Sequence, residues 1–319
     1  MKKKLLLLMV MMMVFATVLA GCGGGEDSGS GGEEKLKIGV ALPDFDDKWL
    51  SYLQDGMTNY EKEAGNIEGV YVDAMNDAAK QMSQVETFIS QGVDAIAIVP
   101  VDTESVSTIV DMANAAEIPI VVVNRTYEGI EEATAFVGGN SIDSGIIQME
   151  AVAELLGGKG NVAIMNGQSG QEAEIKRTEG NKQVIDENPG LKLVKEKNAD
   201  WDRAKGMTLM ENWLQSGEKI DAVVANNDEM AIGAIMALEA AGKQDEVVVA
   251  GIDGTPDALE YVKSGKLKVS VFQDAAGQGS KGLEIAAKAA QGEEVEKMNF
   301  IEFELITPEN VETYVKKWQ

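Results

Sequence analysis

Apolar residues along this 319-residue chain fall into short runs separated by longer stretches of mixed character. The runs are "LKIGVAL" (36–42), "VYVDAM" (70–75), "AIAIVP" (95–100), "PIVVVN" (119–124), "NVAIMNG" (161–167), "AVVANN" (222–227), "VVVAGIDG" (247–254) and "KVSVFQ" (268–273). Most are apolar throughout rather than at alternate positions, the pattern of strands buried on both faces, and amphipathic segments of helical length alternate with them. This alternation predicts an α/β chain whose parallel sheets carry helices on both sides. About 285 residues follow residue 34, more than one compact core usually holds, and the strand-helix motif recurs about twice. Two doubly wound, Rossmann-like lobes are therefore expected.

The start of the chain reads differently. Lys2, Lys3 and Lys4 precede an apolar run of 14 residues, Leu5 to Val18, and small residues follow. A membrane span needs roughly 20 apolar residues, so residues 1–21 read as an export signal. The stretch "LAGC" resembles a bacterial lipobox. That resemblance implies cleavage before Cys22 and attachment of a diacylglycerol to its thiol. Residues 22–34, rich in Gly, Ser and Glu, then form a flexible tether that holds the domain off the outer face of the cell membrane.

Composition narrows the chemistry. Cys22 is the only cysteine and there is no histidine. Intrachain disulfides, Cys/His zinc sites and Ser-His-Asp or Cys-His catalysis are thereby excluded. Asp and Glu are plentiful enough for a carboxylate-based glycosidase, but no carboxylate pair stands apart from helix caps. No D-x-N-x-D calcium loop occurs either. Catalytic residues, a metal and a cofactor are not expected, and the chain is not read as an enzyme. With 53 acidic against 28 basic residues the formal charge is −25, and loss of the leader lysines would make it more negative. Such a surface repels nucleic acid and anionic membrane.

In doubly wound sheets a ligand binds beyond the carboxyl ends of the strands, so the polar residues that end each run are the candidates. They are Asp46 and Asp47, Asp102, Asn124 and Arg125, Gln168, Asn227, Asp253 and Gln273. Arg177 lies in the helical segment after "NVAIMNG", and Trp49 and Trp201 sit among charges. Amide, carboxylate and guanidinium forks grip adjacent hydroxyls while indole faces cover C–H surface, a combination suited to a small neutral polyol or sugar. Asp47 and Asp253 offset the two arginines, which argues against an anion. Structural roles compete at several positions. Asn227 could be a helix cap ahead of "EMAIGAI", Asp46 and Asp102 precede helices in the same way, and Trp213 reads as helix packing.

The stretches "IPIVVVNR", "ADWDRAKGM", "ANNDEMAIGA" and "GIDGTPDAL", in this order, resemble the signatures of ribose-type periplasmic sugar-binding proteins, the substrate receptors of ABC importers. The resemblance covers the chain after Lys35. Within that group "FDDKWL", "PVDT", "VNR" and "NNDEMAIGAI" are more similar to the branch that binds cyclitols, inositol and the rhizopines, than to ribose binders. It implies ligand contacts from Asp47, Trp49, Asn124 and Arg125 in one lobe. Arg177, Trp201, Asn227, Asp253 and Gln273 supply those of the other, with lesser expectations for Asp46, Asp102 and Gln168. Leu50 stands where the family has a second aromatic, Val99 where ribose binders have Asn, and Gln168 where an apolar residue is usual. These departures disfavour ribose.

The resemblance further implies the type I periplasmic binding protein architecture, its lobes joined by three crossings near Gly139-Asn140, Gln273-Asp274 and Glu302. One lobe would comprise residues 35–139 plus 274–302, the other 140–273 plus 303–319. It implies a monomer whose partners are a membrane permease or, in a signalling role, a chemoreceptor or sensor kinase. The same fold serves sugar-responsive repressors, but here the leader and tether stand where their DNA-binding module would be.

Overall fold

The computed structural model describes residues 35–318. The leader, Cys22 and the tether expected from the sequence lie outside the described residues. From Lys35 onward the chain forms one compact unit. Strands and helices alternate through β1 (Leu36–Leu42), α1 (Lys48–Ala64), β2 (Ile67–Asp73), α2 (Ala78–Gln91), β3 (Ala95–Ile98), α3 (Ser105–Ala115), β4 (Ile120–Val123) and β5 (Ala135–Gly138). The pattern continues with α4 (Ser141–Leu155), β6 (Lys159–Asn166), α5 (Glu172–Glu187), β7 (Gly190–Asn198), α6 (Arg203–Gln215), β8 (Ala222–Ala225), α7 (Asp228–Ala240), β9 (Val248–Ala250) and α8 (Pro256–Lys263). The last elements are β10 (Ser270–Phe272), α9 (Ala275–Ala290), β11 (Met298–Phe300), β12 (Glu304–Ile306) and α10 (Val311–Lys317).

These strands build two separate sheets, as the repeated motif predicts. The first is parallel with order β2-β1-β3-β4-β5-β11, and the second is parallel with order β7-β6-β8-β9. A short antiparallel pair, β10 with β12, adjoins the second sheet through bridges Ala250–Val269 and Asp253–Phe272. Alternate residues of each strand feed opposite faces. Val121 and Val123 enter one core of the first sheet while Ile120 and Val122 enter the other, and Ala163 and Met165 against Val162 and Ile164 do the same in the second. Each large aliphatic side chain buried this way contributes about 1.5–3 kcal/mol.

Four strands were not predicted by the patterning. β11 (Met-Asn-Phe) and β12 (Glu-Leu-Ile) are partly buried strands that each carry a polar residue, and β5 (Ala-Phe-Val-Gly) has only three apolar residues in a row, so none forms a continuous apolar run like those above. β7 is an edge strand, its "KLVKEKN" half exposed, so it lacks the continuous apolar character of its neighbours. Conversely, helices pack more closely than their patterns reveal. Gly145 of α4 and Gly180 of α5 face the backbone of the opposite helix, where an added Cβ would lie 2.1 Å from the Arg177 carbonyl oxygen and 2.4 Å from that of Ile142.

The chain passes between the two groups of strands three times. It does so between Gly138 and Ser141, between Phe272 and Ala275, and between Phe300 and Glu304. α9 packs on α1 and the first sheet, whereas α10 packs on α8. At the first passage Gly139 lies against the ring of Phe303, with room for no side chain: a Cβ would come within 2.4 Å. Asn140 donates to Asp143 at 2.9 Å, Asp274 caps α9 by accepting from the Gly277 N–H at 2.9 Å, and Glu302 is exposed.

Candidate functional site

The loops after β1 and β4 in the first sheet, and those after β7, β8, β9 and β10 together with the first turns of α5, converge on one closed cleft. Eleven residues line it, namely Asp47, Trp49, Leu50, Asn124, Arg125, Ala173, Arg177, Trp201, Asn227, Asp253 and Gln273. The cavity between them has a volume of about 30 Å³, so the two sides stand close together. The nine residues singled out first from the sequence thus meet in one place. The lesser candidates do not. Asp46 and Gln168 line a second cavity beside it, with Asp44, Lys48 and Arg203, that shares Asp47, Leu50, Arg125 and Trp201 with the first. Asp102 lines neither; its carboxylate accepts from the Glu104 and Ser105 N–H groups and the Ser105 hydroxyl in the turn that leads into α3. Val99 is fully buried in the first core and does not face the cleft.

Local chain geometry aims these groups. Asp47 ends the loop after β1 and caps α1, its Oδ1 accepting from the Leu50 N–H at 2.9 Å. Trp49, the second residue of the same helix, donates from Nε1 to the Gln273 carbonyl at 3.3 Å. Asn227 caps α7 by accepting from the Met230 N–H at 3.0 Å and also donates to the Trp201 carbonyl at 3.1 Å. It is a cap and a cavity residue at once, so the two readings of "NND" are not rivals.

Three cavity residues have left-handed backbone, Asn124 at φ 69°, Trp201 at φ 64° and Asp253 at φ 136°. Such conformations cost of order 1–3 kcal/mol for residues other than Gly and persist where the surroundings enforce them. Asn124 is held through Nδ2, which donates to Gln278 Oε1 at 3.1 Å. Trp201 is held by its indole N–H, which donates to Gln171 Oε1 at 2.7 Å. Its ring lies over Gly167, where a Cβ would come within 2.0 Å of a ring carbon. Glycine is required there by close approach.

Both arginines are buried, at 6% and 4% exposure for Arg125 and Arg177. Arg125 donates from Nη1 to the Pro100 carbonyl at 2.8 Å. Arg177 donates from Nη1 to the Asn226 carbonyl and from Nη2 to Gln273 Oε1, each at 2.6 Å, and Nη1 lies 3.6 Å from Asp253 Oδ1. Its guanidinium also sits 5.8 Å from the centre of the Trp201 ring. The Nε of each arginine is buried without a protein partner.

Burial dominates the electrostatics. It pushes the Arg125 guanidinium down to about 10, with Asp47 and Glu172 countering, and lowers that of Arg177 against the pull of Asp253. Both stay charged at neutral pH. Burial also raises the carboxyls of Asp47 and Asp253, the latter well above its ordinary value despite Arg177. Glu172 is a carboxylate the sequence reading missed. It sits behind the cleft, accepts from the Ser141 hydroxyl at 2.9 Å, and is raised by burial while both arginines stabilise its charge. As an acid in the first turn of a helix it looked like an ordinary helix start. Gln171 and Gln278, which hold Trp201 and Asn124, were likewise unmarked among many polar residues.

Two cations, two lining carboxylates, two amide side chains besides Gln273 and two indoles can grip a compact polyhydroxylated molecule without net charge. Among the described residues, no group of three or more His, Cys, Asp or Glu is placed to hold a metal ion.

Comparison with known proteins bears on this site. Residues 38–294 match the periplasmic binding protein domain family. A protein of Rhizobium meliloti proposed to bind rhizopine is 44% identical over 286 residues, 88% of this chain and 93% of that one. A ribose import binding protein of Bacillus subtilis is 36% identical over 270 residues, covering 85% and 87%. Among solved structures, an ABC transporter solute-binding protein of Bacillus halodurans with bound myo-inositol superposes with TM-score 0.87 at 55% identity, covering 90% of this chain and 100% of that one.

Proposed function

The chain belongs to the periplasmic binding protein domain family, and from that premise we propose that it captures a cyclitol, inositol or an inosamine-like relative, between two closing lobes for an ABC importer. Relatives of this kind are extracytoplasmic solute-binding proteins rather than enzymes. The observation that carries the proposal is the convergence of nine polar and aromatic side chains from both sheets on one cleft with balanced charge. The ligands of the relatives point the same way. The rhizopine relative and the myo-inositol complex are more similar to this chain than the ribose import protein is.

The lobes, residues 35–139 plus 274–302 and 140–273 plus 303–319, move about the crossings at Gly139-Asn140, Asp274 and Glu302. The first brings Asp47, Trp49, Asn124 and Arg125, and the second brings Arg177, Trp201, Asn227, Asp253 and Gln273. A ligand that touches both sides favours closure by its differential affinity, and about 5.5 kcal/mol swings a 1:99 equilibrium to 99:1. A few charge-assisted hydrogen bonds at about 1.5–3 kcal/mol each suffice. The closed form is then presented to the permease, and lipidation of Cys22 keeps it at the membrane.

The test is calorimetric titration of the purified protein, stripped of bound ligand by unfolding and refolding, with myo-inositol, scyllo-inositol, D-ribose, D-galactose and D-glucose. An inositol should bind at least about 100-fold more tightly than ribose, a gap of about 2.8 kcal/mol. Tighter ribose binding would overturn the cyclitol assignment and leave the receptor reading standing. Incorporation of radiolabelled lipid into the wild type, and its absence from the Cys22→Ser variant, checks the anchor.

A further inference from the structure

Outside the cleft the two lobes meet again, through aromatic rings. Tyr52 on α1 lies 4.6 Å, centre to centre, from Trp318 just past α10, the planes inclined by 57°. Trp318 packs against the hydrophobic cores of both lobes. Its indole N–H donates to the Gly254 carbonyl at 2.9 Å, and its ring meets Phe272 edge-on at 6.4 Å. Phe272 in turn leans on Tyr314 at 5.2 Å. Cations close both ends of this ladder. The Lys48 ammonium stands 5.3 Å from the Tyr52 ring, and that of Lys317 stands 4.4 Å from Phe272 and 5.1 Å from Tyr314.

None of these rings lines the cleft, yet Phe272 and two of the ladder's partners, Lys48 and Gly254, adjoin residues that do. Lys48 stands between Asp47 and Trp49, Phe272 precedes Gln273, and Gly254 follows Asp253. Asp253 has φ 136°, outside the regions that non-glycine residues favour, and the Gly254 carbonyl that receives the Trp318 N–H follows it directly, the Gly254 N–H being held by Asp228 Oδ2 at 2.7 Å.

We propose that Tyr52 and Trp318 form a closure bridge, a contact made when the lobes come together that holds the ligand-bound arrangement and steadies the turn carrying Asp253. It rests on the reading that the lobes close over a ligand. Tyr52 belongs to the first lobe and Trp318 to the second, so separating the lobes breaks the ring contact, while the bonds of Trp318 to Gly254 and Phe272 stay within the second lobe. The bridge therefore favours the closed form without touching the ligand, and the two residues act as positioning residues.

Stopped-flow binding and calorimetry with myo-inositol on the wild type, Tyr52→Ala, Trp318→Ala and the double variant test it. An aromatic pair of this kind changes an equilibrium by about 3–10-fold. Each single variant should raise Kd by about that factor, through faster dissociation with association within about twofold, and the double variant should be no worse than the more affected single one. Trp318→Phe, which keeps a ring and loses the N–H, should fall between. Unchanged Kd, additive losses, or a loss confined to association would each overturn the bridge. If the wild type itself fails to bind myo-inositol, the cyclitol reading fails separately. The same double-variant cycle is then read on the Kd for whichever of scyllo-inositol, D-ribose, D-galactose or D-glucose the wild type binds, coupling supporting the bridge and additivity overturning it.

Discussion

Each lobe sets one arginine into the cleft, and the two are held differently. Arg177 is fastened by the Asn226 carbonyl, Gln273 and Asp253, partners that all come from its own side of the cleft. Arg125 makes one bond, to the Pro100 carbonyl, and among the described residues no carboxylate lies within ion-pairing distance of it. Arg177 is thus part of a finished buried network, while Arg125 keeps most of its donors for whatever enters. The comparison teaches that two residues of one type, one in the loop after β4 and the other in the second turn of α5, divide the work. One organises its wall and the other waits for the ligand.

The sharpest way to break this contrast is Arg177→Ala. It leaves Asp253 buried without a cation, so unfolding in urea should show a loss of about 3–5 kcal/mol together with lost binding. Adding Asp253→Asn should restore more than half of the lost stability. A single variant as stable as the wild type would sink the network reading. Arg125→Ala should do the reverse. Binding should weaken by about 2–5 kcal/mol in calorimetry, while the unfolding free energy falls by only about 1–2 kcal/mol, the cost of the orphaned Pro100 carbonyl. Equal damage to stability in both variants would erase the distinction between the lobes.

Smaller effects sharpen it. Gly167→Ala drives a methyl into the Trp201 ring. Ligand should then bind about 3–10-fold more weakly with a shift in tryptophan emission, as expected if the indole covers a ligand face. The pH response of Glu172 is the smallest. Its folded-state carboxyl is raised above the ordinary 4.5, so the stability it contributes is present below that value and is lost as pH rises through the raised one. Melting temperatures of wild type and Glu172→Gln should coincide near the acid end. The variant should gain on the wild type as pH climbs to about 8. A constant gap would mean that Glu172 does not titrate as its burial implies.

Much of this architecture was legible in the chain because its cause is local or periodic. The run "LKIGVAL" became β1 over the same residues, and "NND" became a helix cap. Strand ends carrying Asp, Asn and Arg marked the cleft because parallel sheets bring their carboxyl ends to one side. Asp102 shows the limit of that rule. It too ends a strand, but its carboxylate is consumed by the two N–H groups and the hydroxyl that follow it. Val99 shows another, since its place in the order of motifs said nothing of which face of the strand it occupies.

What the sequence determined by itself was the class of fold, two lobes, and the kinds of side chain available to a ligand. Those follow from hydrophobic period and from the absence of histidine and of any second cysteine. Tertiary structure alone decided that Glu172 stands behind two arginines, that Gly167 makes room for an indole, and that Tyr52 meets Trp318 across 266 positions of chain. These are long-range juxtapositions set by how the two sheets are brought together, and no local pattern in the chain encodes the distance between them.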